Sequence, residues 1–133
     1  ISVYQDLKNG KDYIDEFGKV IANSELTTDP RSARSYAFCS DTCYDERILP
    51  QISKIDLLYH EATFLNDKEE RAKETFHSTA AQAATIAKKA NVKRLIIGHF
   101  SARYKNLYPL LDEAKEVFPE TTLAMEGDVF SIL

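Results

Sequence analysis

Short apolar runs alternate with longer amphipathic stretches over the last hundred residues of the chain. Four runs have the length and composition of buried β-strands: residues 35–40, 56–59, 94–97 and 121–125. Apolar positions recur at helical spacing over residues 80–90 and 107–118, and the first of these stretches is rich in alanine. Strands that alternate with helices predict an α/β fold in which helices cover a sheet.

Capping patterns mark the ends of some of these elements. Thr79-x-x-Gln82 has the form of a capping box at the start of the long helix, and Asn91 suits the left-handed residue that ends it. Thr42-x-x-Asp45 has the same form, which predicts a short helix over the following residues.

The segments between the clear elements give weaker signals. The charged segment 66–75 fits either a loop or a poor helix. Gly127-Asp128 favours a turn, so residues 129–132 are predicted to form a last strand.

The first 34 residues have a different pattern. Two turn signals, Asn9-Gly10 and Phe17-Gly18, lie among short apolar pairs, and Asn-Gly is a strong hairpin signal. The polar segment 23–34 is predicted to be a loop. The chain therefore divides into two predicted parts: a hairpin and loop lead-in at 1–34 and a βαβαβαβ core at 35–133.

Composition and charge narrow the class of protein. The 133 residues suffice for one domain. With a net charge of −4, the chain has no overall excess of basic residues with which to bind nucleic acid by itself. No apolar run approaches the roughly 18 residues of a membrane span. Cys39 and Cys43 form no disulfide framework, which favours a reducing, cytoplasmic compartment. The absence of an initial Met hints at a piece of a longer protein.

Residues that can bind metal or transfer protons lie where the predicted strands end. Asp41 follows the first strand, His60 and Glu61 follow the second, and His99 follows the third, while His77 precedes the long helix. Open α/β sheets gather their sites at the carboxyl ends of strands, and carboxylate and imidazole are common metal ligands. Each residue alone has an ordinary alternative as a cap or a satisfied polar group. The pattern by itself indicates half of an α/β site, with a metal as one option.

Four short strings, taken in order, resemble the C-terminal half of ribonuclease Z, a tRNA 3′-processing endonuclease family of the metallo-β-lactamase superfamily. They are SDT at 40–42, HEATF at 60–64, HST at 77–79 and GHFS-x-RY at 98–104. Each string alone is weak, but the ordered set is specific and spans most of the chain. The resemblance implies half of an αββα sandwich, with a mixed sheet and helices on one face.

The resemblance also implies roles for single residues. In the complete enzyme Asp41 would bridge two zinc ions and His99 would ligate one of them. His77 would donate a proton to the leaving 3′ oxygen, Glu61 would orient His77, and Arg103 would meet a phosphate. Supporting roles are implied for a further set: His60, Thr63, Ser78 and Thr79.

The chain also departs from the family pattern. It lacks the His-x-His-x-Asp-His metal motif of the N-terminal half, and two protein ligands do not make a tight zinc site. We therefore expect the isolated chain to be inactive and to bind zinc weakly or not at all. We also expect it to self-associate through an open sheet face. The complete enzyme is expected to be a homodimer that acts on precursor tRNA.

Two other functions stay open at this point. The chain could belong to another metallo-β-lactamase-fold hydrolase, acting on small phosphodiesters or esters. It could also be a binding module without catalysis that retains half the fold. The HST and GHFS-x-RY strings favour the nuclease.

Overall fold

The computed structural model describes residues 2–132, and the chain divides into two compact units between Ala33 and Arg34. The first unit contains four short elements: α1 (Val3–Lys8), β1 (Tyr13–Ile14), β2 (Val20–Ile21) and α2 (Asn23–Leu26). Strands β1 and β2 pair antiparallel, which confirms the predicted hairpin. The Asp15 carboxylate closes its turn by accepting the backbone N–H groups of Phe17 and Lys19 at 2.9 and 2.8 Å.

Two details of the first unit differ from the predictions. Asn9-Gly10 makes no hairpin turn, because Ser2 caps a helix there and Asn9 lies at its C-terminal end. The segment predicted as a loop begins with helix α2. There the Asn23 side chain donates hydrogen bonds to the carbonyls of Leu7 and Lys11. Both differences come from side chain to backbone bonds, which local turn statistics do not capture.

The second unit alternates strands and helices in the predicted order. Its elements are β3 (Tyr36–Cys39), α3 (Leu49–Ile52), β4 (Leu57–Glu61), α4 (Glu69–Glu74), α5 (Ala80–Ala90), β5 (Arg94–Gly98), α6 (Tyr108–Val117) and β6 (Thr121–Leu123). The charged segment 66–75 is therefore largely helical, which decides between the two predicted alternatives. Strand β4 runs further than predicted, so His60 and Glu61 are its last two residues instead of following it.

The four strands of the second unit form one sheet in the order β3-β4-β5-β6, and every neighbouring pair is parallel. The predicted mixed sheet is therefore wrong for these four strands. The predicted last strand is also wrong, because residues 129–132 lie outside any strand. This segment follows the turn at Gly127, and Phe130 and Ile132 line a groove on the sheet instead of extending its edge. The Arg94 side chain donates to the Ser131 carbonyl and holds the segment there.

One of the two predicted capping boxes forms. Thr79 Oγ1 accepts the Gln82 N–H at 3.1 Å, and Gln82 Oε1 accepts the Thr79 N–H at 3.0 Å. Asn91 ends α5 in the left-handed conformation, as predicted. The box predicted at Thr42 is wrong, because its hydroxyl donates to the neighbouring Cys43 carbonyl. Asp45 itself caps a short 3₁₀ helix that precedes α3.

The two faces of the sheet have different surroundings. Leu58, Leu95 and Ile97 pack in a buried cluster with the alanines of α5 and with residues of α3 and α6, which confirms helices on one face. Side chains alternate along a strand, and on the other face Tyr36 and Phe38 stay exposed. Among residues 2–132, no helix is long and apolar enough to cross a membrane.

Candidate metal and acid–base site

The strand ends of the second unit bring four of the predicted residues together. Asp41, Glu61, His77 and His99 each offer one oxygen or nitrogen atom, and these atoms lie within 4.8 Å of one another. Within residues 2–132 this is the group that could hold a metal ion. The parallel order β3-β4-β5 explains the convergence, because it puts three carboxyl ends side by side.

Asp41 and His99 form the exposed part of this group. Both have positive φ angles, of 50° and 59°, which turn the chain sharply after β3 and β5. Asp and His tolerate this conformation better than most residues, and such strain is common at functional sites. His99 Nε2 lies 3.4 Å from Asp41 Oδ1, and the side chains are 42% and 77% exposed.

Gly98 is required by the packing of the neighbouring strand. Its own φ is not left-handed, so it does not make the turn. A Cβ at this position would lie about 2.8 Å from two ring carbons of Tyr59, closer than atoms pack. Glycine therefore lets the Tyr59 ring of the neighbouring strand cross the end of β5.

Glu61 is the buried centre of the site, with 0% of its side chain exposed. Oε1 accepts the Thr42 N–H at 2.7 Å and the His77 ring at 2.9 Å. Oε2 accepts the Thr63 hydroxyl at 2.5 Å and the Ser78 N–H at 2.9 Å. Burial raises the pKa of this carboxyl, but the four donors together outweigh burial and lower it below its ordinary value. Glu61 is thus an ionised acceptor whose oxygens are all engaged.

His77 lies between Glu61 and the exposed pair. Because Glu61 accepts, His77 Nδ1 is the donor, and Nε2 is the ring nitrogen left for another partner. Its ring centre is 5.2 Å from that of His99. The arrangement suits a proton donor or acceptor beside a charged site.

The exposed pair fits a zinc ion in chemistry and in spacing. Imidazole and carboxylate are zinc ligands, and two ligands on a tetrahedral zinc lie about 3.3 Å apart for bonds of about 2.0–2.1 Å. The Asp41 to His99 distance of 3.4 Å matches this edge. Glu61 has no free oxygen, so the pair is short of the three or four ligands that zinc sites use.

Three of the four residues with implied supporting roles differ in how closely they contact the site. Thr63 touches both Glu61 and His99, since its Oγ1 also lies 3.1 Å from His99 Nδ1. The Ser78 hydroxyl donates to the Thr42 carbonyl at 2.7 Å and so ties the HST segment to the loop after β3. Thr79 caps α5 and does not reach the group.

His60 points away from the other site residues, into the buried layer under the helices. Nδ1 donates to the carbonyl of Glu61 at 2.8 Å, and Nε2 is buried with no partner among the described residues. Burial lowers the pKa of His60 below its ordinary value, so the ring is neutral. The structure therefore leaves His60 out of the cluster.

Arg103 lies at the edge of the site, on an aromatic surface. Its guanidinium stands 5.1 Å from the Phe64 ring centre, and Phe64 lies edge-on to His77 with ring centres 6.4 Å apart. Among the described residues the Arg103 guanidinium pairs with no carboxylate. A planar cation held over a ring beside the site is well placed for a phosphate oxygen.

No role was predicted from the sequence for three residues that hold the loops together. Ser101 donates its N–H to the Thr63 carbonyl at 3.0 Å, and the Tyr104 hydroxyl accepts the Leu65 N–H at 2.9 Å. Glu113 on α6 accepts the N–H groups of Asn66 and Ala81 at 2.8 and 2.9 Å. Ser101 and Tyr104 belong to the GHFS-x-RY string and could have been found there. Glu113 gives no local signal, because its partners lie 47 and 32 residues away.

Known proteins resemble this chain at the levels of family, sequence and fold. The family described as "Beta-lactamase superfamily domain" matches residues 22–100. The "Ribonuclease Z" of Parabacteroides distasonis is 51% identical over 132 residues, which cover 99% of this chain and 43% of that protein. The chain thus spans less than half the length of this curated relative.

Two solved structures resemble the fold of this chain. The metallo-beta-lactamase fold protein YhfI from Bacillus subtilis superposes with a TM-score of 0.69 at 27% identity, over 74% of this chain and 40% of that one. The short form of human tRNase Z superposes with a TM-score of 0.57 at 32% identity, over 86% of this chain and 37% of that one. With a family match over more than half of its length, the chain belongs to the beta-lactamase superfamily, and its layer of sheet and helices is half of the metallo-β-lactamase αββα sandwich.

Proposed function

We propose that this chain is the C-terminal part of a metal-dependent ribonuclease Z, an endonuclease that removes 3′ trailers from precursor tRNA. The Glu61–His77 pair, set beside the exposed Asp41 and His99, carries the proposal. The similarity to Ribonuclease Z of Parabacteroides distasonis along almost the whole chain supports the substrate class.

The proposed reaction is hydrolysis of one phosphodiester bond. A water oxygen joins the phosphorus, and the bond from phosphorus to the 3′ oxygen breaks. His77 acts in its doubly protonated form, with Nδ1–H held by Glu61, and gives the departing 3′ oxygen the proton from Nε2. The proton that leaves the attacking water balances the one given up by His77 and returns the ring to that form. The products are a tRNA with a free 3′-hydroxyl and a trailer with a 5′-phosphate. Arg103 meets a phosphate oxygen near the cleaved bond.

Two zinc ions are proposed for the complete protein, and Asp41 and His99 are the residues of this chain that would help to hold them. When bound, they supply positive charge that activates water and offsets charge on the phosphate. The remaining ligands would come from the half that this chain does not include, from its His-x-His-x-Asp-His motif and from a further His.

The central test is cleavage of a 3′-extended precursor tRNA by the complete protein. We expect His77→Ala to lower kcat by about 10²- to 10⁴-fold, the usual contribution of a proton donor. His60→Gln serves as the matched control, because His60 lies outside the cluster and is expected to retain activity. Equal losses in both variants would contradict the assignment, and so would preferential hydrolysis of a small phosphodiester.

The isolated chain provides a second test. Because it supplies only two metal ligands, we expect no cleavage of precursor tRNA in zinc or manganese, and weak or no zinc binding. Metal-dependent cleavage by this chain alone, at the position where the trailer begins, would refute the expectation.

The open sheet face is proposed to pack against the absent half in the complete protein. Tyr36 and Phe38 are 50% and 63% exposed there, and the Phe38 ring stacks on Tyr59 with centres 4.6 Å apart. In the isolated chain we expect a second copy to cover this face, because large exposed apolar patches drive association. Sedimentation should show a dimer that Phe38→Glu disrupts, and a clean monomer at micromolar concentration would contradict this.

The whole protein is further proposed to be a homodimer in the cytoplasm. Cys39 and Cys43 are both free thiols, which suits a reducing compartment. Sedimentation of the complete protein tests the dimer, and a monomer that cleaves precursor tRNA at the full rate would count against it.

A further inference from the structure

We propose that Thr63 is a positioning residue that fixes the ring tautomer of His99, so that its Nε2 lone pair faces Asp41 and a bound metal ion. The proposal deepens the proposed function and rests on its assignment of His99 as a metal ligand. Its basis is one short chain of contacts, from Glu61 through the Thr63 hydroxyl to the imidazole.

The first step concerns the single hydrogen of the Thr63 hydroxyl. Oγ1 lies 2.5 Å from Glu61 Oε2, a distance typical of a hydroxyl that donates to a carboxylate. The same carboxylate accepts two backbone N–H groups, from Thr42 and Ser78, so it acts as an acceptor throughout. The Thr63 hydrogen is therefore committed to Glu61.

The second step follows for His99. Its Nδ1 lies 3.1 Å from Thr63 Oγ1, and this oxygen has only lone pairs left to offer. Nδ1 must then carry the hydrogen and donate it. In a neutral imidazole the lone pair is left on Nε2, the atom that stands 3.4 Å from Asp41 Oδ1.

The third step is the rigidity of Thr63 itself. It is buried, with 6% of its surface exposed, and both of its backbone groups are used. Its N–H donates to the Ser78 carbonyl at 2.9 Å, and its carbonyl accepts the Ser101 N–H at 3.0 Å. Thr63 thus ties the loop after β4 to the loop after β5, and its hydroxyl holds one position relative to His99.

One carboxylate consequently orients both imidazoles of the site. Glu61 Oε1 holds His77 directly, and Oε2 holds His99 through Thr63. Partners of this kind typically change metal affinity by 10- to 100-fold when they are removed. The two ring positions are expected to respond together to any change at Glu61.

The test compares Thr63→Val, which keeps the shape and removes the hydroxyl, with Thr63→Ser, which keeps the hydroxyl. The first readout is the His99 tautomer from long-range ¹H–¹⁵N NMR of this chain, without metal and at pH 8. We expect the Nδ1–H form in the original chain and in Thr63→Ser, and a shift toward the Nε2–H form in Thr63→Val.

The second readout is the zinc affinity of the complete protein, measured by competition with a chelating dye. We expect Thr63→Val to lose about 10- to 100-fold and Thr63→Ser to lose less than about 3-fold. Amide spectra show which variants are folded, and the tautomer of the original chain tests the proposal even if Thr63→Val unfolds.

Three results would overturn the proposal. They are an Nε2–H tautomer in the original chain, an unchanged tautomer in folded Thr63→Val, and an unchanged zinc affinity in that variant. Neither readout uses RNA, so a complete protein that fails to cleave precursor tRNA refutes the proposed function without touching this inference.

Discussion

Two carboxylates end neighbouring strands of this sheet, and their surroundings are opposite. Glu61 is fully buried and accepts four hydrogen bonds, whereas Asp41 is 77% exposed and lies near one imidazole nitrogen at 3.4 Å. Both oxygens of Glu61 are satisfied by donors of this chain, and Glu61 holds those donors in place. Asp41 is exposed and has acceptor capacity that the contact with His99 leaves unused. One wall of the site, around Glu61, is thus fully hydrogen-bonded within the chain, while the other wall, at Asp41, is open to solvent.

The same change of carboxylate to amide should therefore have very different effects at the two positions. Glu61→Gln puts an NH₂ group among N–H and O–H donors, which leaves buried groups unpaired. We expect the free energy of unfolding to fall by about 2–4 kcal/mol, measured by urea denaturation. A loss below about 1 kcal/mol would show that the four contacts do not act as a structural centre.

Glu113 on α6 tests whether the hydrogen bonds that stabilise the Glu61 side of the site extend to the helix layer. Its carboxylate accepts the Asn66 and Ala81 N–H groups, and so joins α6 to the segments beside HEATF and HST. Glu113→Ala should destabilise the chain by about 1–2 kcal/mol, comparable to loss of a helix cap. Glu116→Ala on the exposed side of the same helix is the matched control. Equal urea midpoints for the two variants would contradict the role.

A third carboxylate, Asp56, lies at the opposite end of the strands, directly before β4. Its contribution to the stability of the fold can be tested by changing the pH. The Lys93 ammonium at 2.7 Å, with the Ser35 N–H at 2.8 Å, lowers the pKa of Asp56 to about 2 from its ordinary 3.8. A lowered folded-state pKa adds stability above the ordinary value, and this is lost as pH falls through the folded pKa.

Urea midpoints at pH 7, 4, 3 and 2 should therefore drop steeply between pH 4 and 2 in the original chain. In Asp56→Asn the drop should be shallower, because the group that takes up the proton is gone. Parallel curves for the two proteins would refute the contribution of Asp56.

The smallest effect is expected at the exposed carboxylate. Asp41→Asn should leave the urea midpoint of this chain unchanged within error. The Asp41 side chain is exposed and makes no firm hydrogen bond within residues 2–132, and such a side chain adds little to stability. In the complete protein the same change should weaken zinc binding, which a chelator competition would measure. A destabilisation equal to that of Glu61→Gln would show that Asp41 and Glu61 do not differ in their structural roles.

Local patterns predicted most of the architecture correctly. The alternation of apolar runs and helical stretches is a local property, and so are the capping box at Thr79 and the left-handed end at Asn91. The predictions failed where distant groups compete with local preference. Asn9-Gly10 ends a helix because Ser2 starts one, and the predicted last strand lies along the open face instead of pairing at the sheet edge.

The sequence by itself determined which chemical groups stand at the strand ends, because strand length and the residue after each strand are written in order along the chain. Tertiary structure alone decided what these groups do for one another. Thr63 meets His99 across 36 residues, Glu61 meets His77 across 16, and His60 turns into the buried layer while its neighbour Glu61 faces the site. Such relations depend on strand register and on which side of the sheet each residue occupies, and a linear pattern does not specify them.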